Sequence, residues 1–219
     1  MRNKISVILK LVVVVCAVWG VLLCVASGAD SFMGSWNALK FFTIQSNIWV
    51  ALAEACGVVT ILKKKTPSKI CNIIKLMVTV AITLTGFVFC FILAPTFPGA
   101  WILANVLTHV IVPIASVLDF LVYDAQFAYQ KKWCFTAAIL PVYYVIFAAY
   151  GYAQNWEFMP GVNYPYFFLN WGSPAGVFGF CKGLPFIGVG YWILIGFVFV
   201  TLVALLYIAL ANIGKKKKS

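Results

Sequence analysis

Residues 1–27 read MRNKISVILKLVVVVCAVWGVLLCVAS. Arg2 and Lys4 precede two apolar runs, Ile5–Leu9 and Leu11–Ala26, and Val25-Ala26-Ser27 offers small residues where a leader would be cut. A cleaved leader would start the mature chain at Gly28 and leave five membrane spans. The run is long enough to cross a bilayer, which takes about 20 mostly apolar residues. We therefore expect a retained first helix.

Five further stretches qualify on the same criterion. The predicted spans are 5–27, 41–62, 73–95, 104–124, 134–154 and 189–213, joined by short connections except for a long outer loop, 155–188. Composition agrees. Of 219 residues, 64% are hydrophobic and 10% charged, against about a quarter charged in a soluble domain. That excludes a disordered chain, a single soluble core and a nucleic-acid binder. The expected fold is an all-α polytopic membrane bundle of six transmembrane helices forming one domain over 1–219.

The charges orient it. With the N-terminal side called inside, that side holds Arg2, Lys4, Lys10, Lys63, Lys64, Lys65, Lys69, Lys75, Lys131, Lys132 and Lys215 to Lys218. The other side holds only Lys40 and Lys182. The positive-inside rule then makes both termini cytoplasmic. A plasma-membrane location is expected. The lysines third and fourth from the end, before Ser219, resemble a dilysine retrieval signal, so the endoplasmic reticulum is the alternative in a eukaryotic cell.

Seven cysteines and one histidine show no metal-ligand spacing. No metal or organic cofactor is implied, and the cysteines read as small packing residues, with Cys181 alone in the long loop. No repeat between the halves supports an inverted-repeat transporter.

Ionisable residues inside spans are expensive and mark function. Glu54, His109 and Asp119 stand out, with Thr43, Gln45, Ser46 and Asn47 in the second span and Asn105, Thr108 and Ser116 in the fourth. Positions four and eleven apart differ by about 40° and 20° on a helix. Thr43, Asn47 and Glu54 thus share one face, and Asn105, His109 and Ser116 another. At about 1.5 Å per residue, Thr43 and His109 differ in depth by about 4–5 Å near the outer boundary. Glu54 and Asp119 share a deeper level.

The outer layer pairs a hydroxyl with the only imidazole, the elements of a Thr nucleophile and its base. Asn47 and Asn105, with Ser46 and Gln45, are candidates for positioning substrate or an oxyanion. A Thr bonded to its own helix's carbonyl and a His bridging helices are the plainer alternatives. In the inner layer, two carboxyls in a low dielectric would share a proton. That is the basis of a second reading, a proton- or cation-coupled transporter. A third is a non-catalytic lipid-binding protein, with Glu54 and Asp119 bonded to neighbours. In the long segment Tyr164, Tyr166, Phe167 and Trp171 suit a lid over an acyl-chain access route, or a plain aromatic belt.

Phe41-Phe42-Thr43-Ile44-Gln45-Ser46-Asn47, and later Leu107-Thr108-His109 with Pro113, resemble the two signature stretches of the androgen-induced protein (FAR-17a/AIG) superfamily. Tyr164-Pro165-Tyr166-Phe167-Phe168-Leu169-Asn170 is similar to a Tyr-Pro-rich stretch before the last helix in its bacterial branch. The resemblance covers these patches and the full-length topology. It implies a six-helix membrane threonine hydrolase that splits fatty-acid esters of hydroxy fatty acids, with Thr43 and His109 catalytic. Membrane lipids and a lipid ester are then the expected partners.

Overall fold

The computed structural model describes residues 1–27, 35–96 and 98–216, with 214–216 as backbone only. Gly28 and the Lys217–Ser219 end of the lysine tail lie outside the described residues. Six long apolar helices are present among them: α1 (Arg2–Ala26), α2 (Phe42–Leu62), α3 (Lys69–Thr96), α4 (Leu103–Gln126), α5 (Lys131–Ala153) and α6 (Val189–Lys216). The protein is an all-α, integral membrane bundle. Several boundaries shift by a few residues from expectation, two with a visible cause. Ser68 caps α3, its Oγ accepting the Cys71 N–H at 3.2 Å, so that helix starts earlier. A 3-10 stretch, Lys131–Ala138, extends α5 backward.

The bundle is built for a lipid solvent. In α1, Ser6, Lys10, Val13, Ala17, Gly20 and Cys24 are buried, while Ile8, Leu11, Val15, Val18, Trp19 and Leu22 are exposed. Small and polar side chains turn inward and large apolar ones outward, the arrangement a hydrocarbon surround favours. α1 packs on α2 and α4, and α3 touches α2, α4, α5 and α6. α6 packs on the first part of α5 but not closely on its second part. These two helices therefore diverge toward the outer end.

Both α3 and α4 contain a π turn, Phe89–Leu93 and Leu107–Ile111. In α4 the cause is visible in the sequence. Pro113 has no N–H for the carbonyl of His109, four residues back, and Val112 N–H reaches back five residues to Leu107. The widened turn is wedged between two glycines. A methyl at Gly86 of α3 would stand 2.9 Å from the His109 carbonyl oxygen, and one at Gly20 of α1 2.5 Å from Thr108 Cγ2.

The expected inner carboxyl layer is corrected by two lysines. Glu54 and Asp119 do come together, but around Lys10 and Lys75. Lys10 Nζ donates to Glu54 Oε2 at 2.9 Å and Asp119 Oδ2 at 2.6 Å. Lys75 Nζ donates to Asp119 Oδ2 at 2.8 Å and to Glu54 Oε1. Asp124 Oδ2 lies 3.8 and 4.0 Å from the two ammonium groups, and Ser6 Oγ donates to Asp119 Oδ1 at 2.6 Å. All six residues are buried. A proton shared between two facing carboxyls is replaced by a five-charge network tying α1, α2, α3 and α4. Lys10 and Lys75, read as flanking charges, belong to the interior; the remaining inside lysines and Arg2 still outnumber Lys40 and Lys182.

Removing one member of a buried ion pair leaves uncompensated charge, at a cost of about 3–5 kcal/mol. Lys75→Met is expected to lower stability by that amount in a denaturant titration in detergent. Exposed Lys63→Met is expected to change it by less than about 0.5 kcal/mol.

Candidate Thr–His site

Thr43 is the second residue of α2, whose preceding residue, Phe41, supplies no side-chain cap. N–H groups of a helix's first turn have no partner within the helix. Here the Thr43 N–H points to the hydroxyl of Tyr166, 3.5 Å away. Tyr166, from the segment before α6, thus caps α2 from 123 residues away. Its hydroxyl meets that of Tyr144, which donates to the Lys40 carbonyl at 3.1 Å. Burial pushes the Tyr166 phenol above its ordinary value, which keeps it a neutral hydroxyl.

His109 sits in the middle of the α4 π turn, a distortion common at functional sites. Its Nε2 lies 3.1 Å from Thr43 Oγ1. Its Nδ1 lies 3.0 Å from the Asn105 carbonyl oxygen. A carbonyl only accepts, so Nδ1 carries the proton in the neutral ring and Nε2 presents its lone pair. The Thr43 hydroxyl must then donate to Nε2. The ring stacks on Phe89 of the other π turn, centroids 4.0 Å apart at 22°, and Trp101 packs edge-on behind Phe89 at 5.3 Å. Both Thr43 and His109 are buried.

The other expected polar residues hold the backbone in place. Asn47 Nδ2 donates to the Thr43 carbonyl at 2.7 Å and the Thr108 carbonyl at 3.1 Å, clamping α2 to the π turn. Ser46 Oγ donates to the Thr43 carbonyl at 3.0 Å and is 2.8 Å from Thr85 Oγ1. Asn105 Nδ2 donates to Ala100 O at 2.8 Å, and Gln45 Nε2 to Leu39 O at 3.1 Å. Asn47 and Ser46 thus spend their donors on carbonyls, while Asn105 and Gln45 each have a second amide N–H beyond the one bonded. Ser116 is buried apart, its hydroxyl without a hydrogen bond among the described residues.

Thr43 opens onto a cavity of about 380 Å³ between α3, α5 and α6. Leu84, Val88, Val145 and Ile193 are among its apolar walls; Tyr166, Phe168 and Leu169 line it, from the segment before α6. Ile146 and Leu194 line it yet are exposed, so it opens sideways where α5 and α6 diverge. Of the four expected lid residues, Tyr166 lines this cavity. Phe167 packs against Phe168 and Trp192, Trp171 against Tyr152, and Tyr164 is half-buried; these three do not line it.

Phe89, Tyr144 and Gly86 also shape the site and lie outside the sequence-predicted set. The proline four residues after His109 was the available signal for the π turn. Comparisons with known protein families, curated proteins and solved structures find no match.

Gly86→Ala tests the wedge. The added methyl must displace the His109 carbonyl, and overpacking of this kind costs about 1–3 kcal/mol. We expect a lower melting temperature in detergent and an altered His109 ring resonance. Gly196→Ala, which meets open space, should leave both unchanged.

Proposed function

We propose that the protein is a threonine hydrolase of lipid esters. The observation that carries this reading is the 3.1 Å contact from Thr43 Oγ1 to a His109 nitrogen whose other nitrogen is held as a donor. The apolar cavity at Thr43, open toward the bilayer, supports a lipid substrate. The motif resemblance to the FAR-17a/AIG superfamily supports the same chemistry and, within it, fatty-acid esters of hydroxy fatty acids.

The ester enters sideways, with an acyl chain in the cavity and its carbonyl beside Thr43. His109 Nε2 takes the hydroxyl proton as Thr43 Oγ1 attacks the carbonyl carbon. The carbonyl oxygen gains the charge and takes the position of the Tyr166 hydroxyl, facing the N–H group of Thr43. Collapse breaks the ester C–O bond, and the leaving alcohol oxygen takes the proton from Nε2. Water then gives a proton to Nε2, attacks the acyl-threonine and releases the fatty acid, and Nε2 returns its proton to Thr43. The lysine-rich end faces the cytoplasm and the host bilayer is the plasma membrane in this proposal. The ion-coupled alternative loses its motive, because Glu54 and Asp119 each meet two ammonium groups.

A fluorophosphonate probe is expected to label the purified protein on Thr43, located by peptide mass spectrometry. Thr43→Ala and His109→Gln should each lower ester hydrolysis at least about a thousandfold while keeping a cooperative melt. Labelling that survives Thr43→Ala would remove Thr43 as nucleophile. Val145→Trp, which fills the cavity, is expected to raise KM for long-chain esters at least about tenfold and leave butyrate esters within about twofold.

A further inference from the structure

At the lysine-rich end, remote from Thr43, a second pocket of about 270 Å³ lies between the end of α2, the loop after it, the start of α1 and the end of α4. Lys64, Lys65, Thr66, Asn3, Tyr123 and Gln126 supply its polar groups. Ile61, Pro67 and Phe127 supply its apolar wall. Among the described residues, no carboxylate lines it.

We propose that this pocket binds the phosphate of an anionic phospholipid headgroup. Three observations converge. First, the described acids lie elsewhere. Glu54, Asp119 and Asp124 are consumed by Lys10 and Lys75 in the interior. Glu157 is at the opposite end, where its carbonyl accepts from Lys40. Among the described residues, neither Lys64 nor Lys65 has an acidic partner, which leaves both ammonium groups open to an external anion.

Second, Lys64 holds the left-handed conformation that ends α2, at φ 53. Its N–H bonds Ile61 O at 2.9 Å and that of Lys65 bonds Thr60 O at 3.0 Å. Glycine or asparagine is the usual residue at such a helix end. A lysine there forgoes backbone ease and places a basic residue in the pocket lining.

Third, the pocket combines two cationic groups, neutral hydroxyl and amide groups, and an apolar wall. A phosphodiester with glycerol carbons attached meets all three, and basic pockets between transmembrane helices bind such headgroups. The pocket lies at the end of spanning helices, the level where headgroups reside.

The test uses the full-length protein in neutral detergent, with dioctanoyl phosphatidylglycerol as probe and native mass spectrometry as readout. We expect one retained lipid per chain. Replacing Lys64→Asn together with Lys65→Ala should weaken retention about thirtyfold; asparagine tolerates the left-handed backbone. Lys131→Ala with Lys132→Ala, on the same end but outside the pocket, should weaken it by less than about threefold. Equal loss in the two pairs would mean diffuse attraction and overturn the site, as would no stoichiometric lipid. Inorganic phosphate is the other arm. Displacement of lipid only at high phosphate supports a headgroup; phosphate binding as tight as the lipid would overturn the lipid source.

Discussion

Burying charge in a low-dielectric interior costs several kcal/mol per ion unless the charges meet. That constraint organises the first four helices. Among the described residues, Lys10 and Lys75 carry the only ammonium groups within 4.0 Å of Glu54, Asp119 and Asp124, so the four helices share one arrangement in which both cations are met by carboxylates. Three carboxyl groups facing two ammonium groups leave the network one negative charge in excess when all are ionised. Ser6 and the Tyr123 ring, 5.4 Å from Lys10 Nζ, complete its surroundings. The network anchors one half of the bundle and leaves the other half to packing.

In that outer half, position is set by backbone geometry. Pro113 withdraws a donor, the π turn widens, and Gly20 and Gly86 let neighbouring helices close on it. His109 is thereby held against Phe89 with its proton on Nδ1. Asn47 then links the carbonyl of Thr43 to that of Thr108, so the hydroxyl and the imidazole are registered through their backbones as well as through each other.

The spans were legible because hydropathy and charge placement report directly on a lipid solvent, and Thr43 with His109 emerged from helical period and depth. What stayed hidden has a common cause. A uniform helix of about 3.6 residues per turn contains no π turn, so the widened stretch around His109 was invisible to face counting. Lys10 and Lys75 sit close enough to span ends to look like anchors, yet both are buried. Tyr166 lies in a stretch with no period at all, and its role depends on a contact 123 residues away. Asn47 and Ser46 were found as polar residues, but sequence cannot tell whether an amide serves a ligand or a carbonyl.

The divergence of α5 from α6 has a consequence for how encounters occur. A cavity reached through the side of the bundle draws its occupant from a two-dimensional solvent, where molecules arrive already oriented with chains parallel to the helices. Occupancy then follows mole fraction in the leaflet instead of concentration in water. On the proposed reading the protein need not extract a lipid from its surroundings; the bilayer itself would deliver the chain to the wall that holds Thr43.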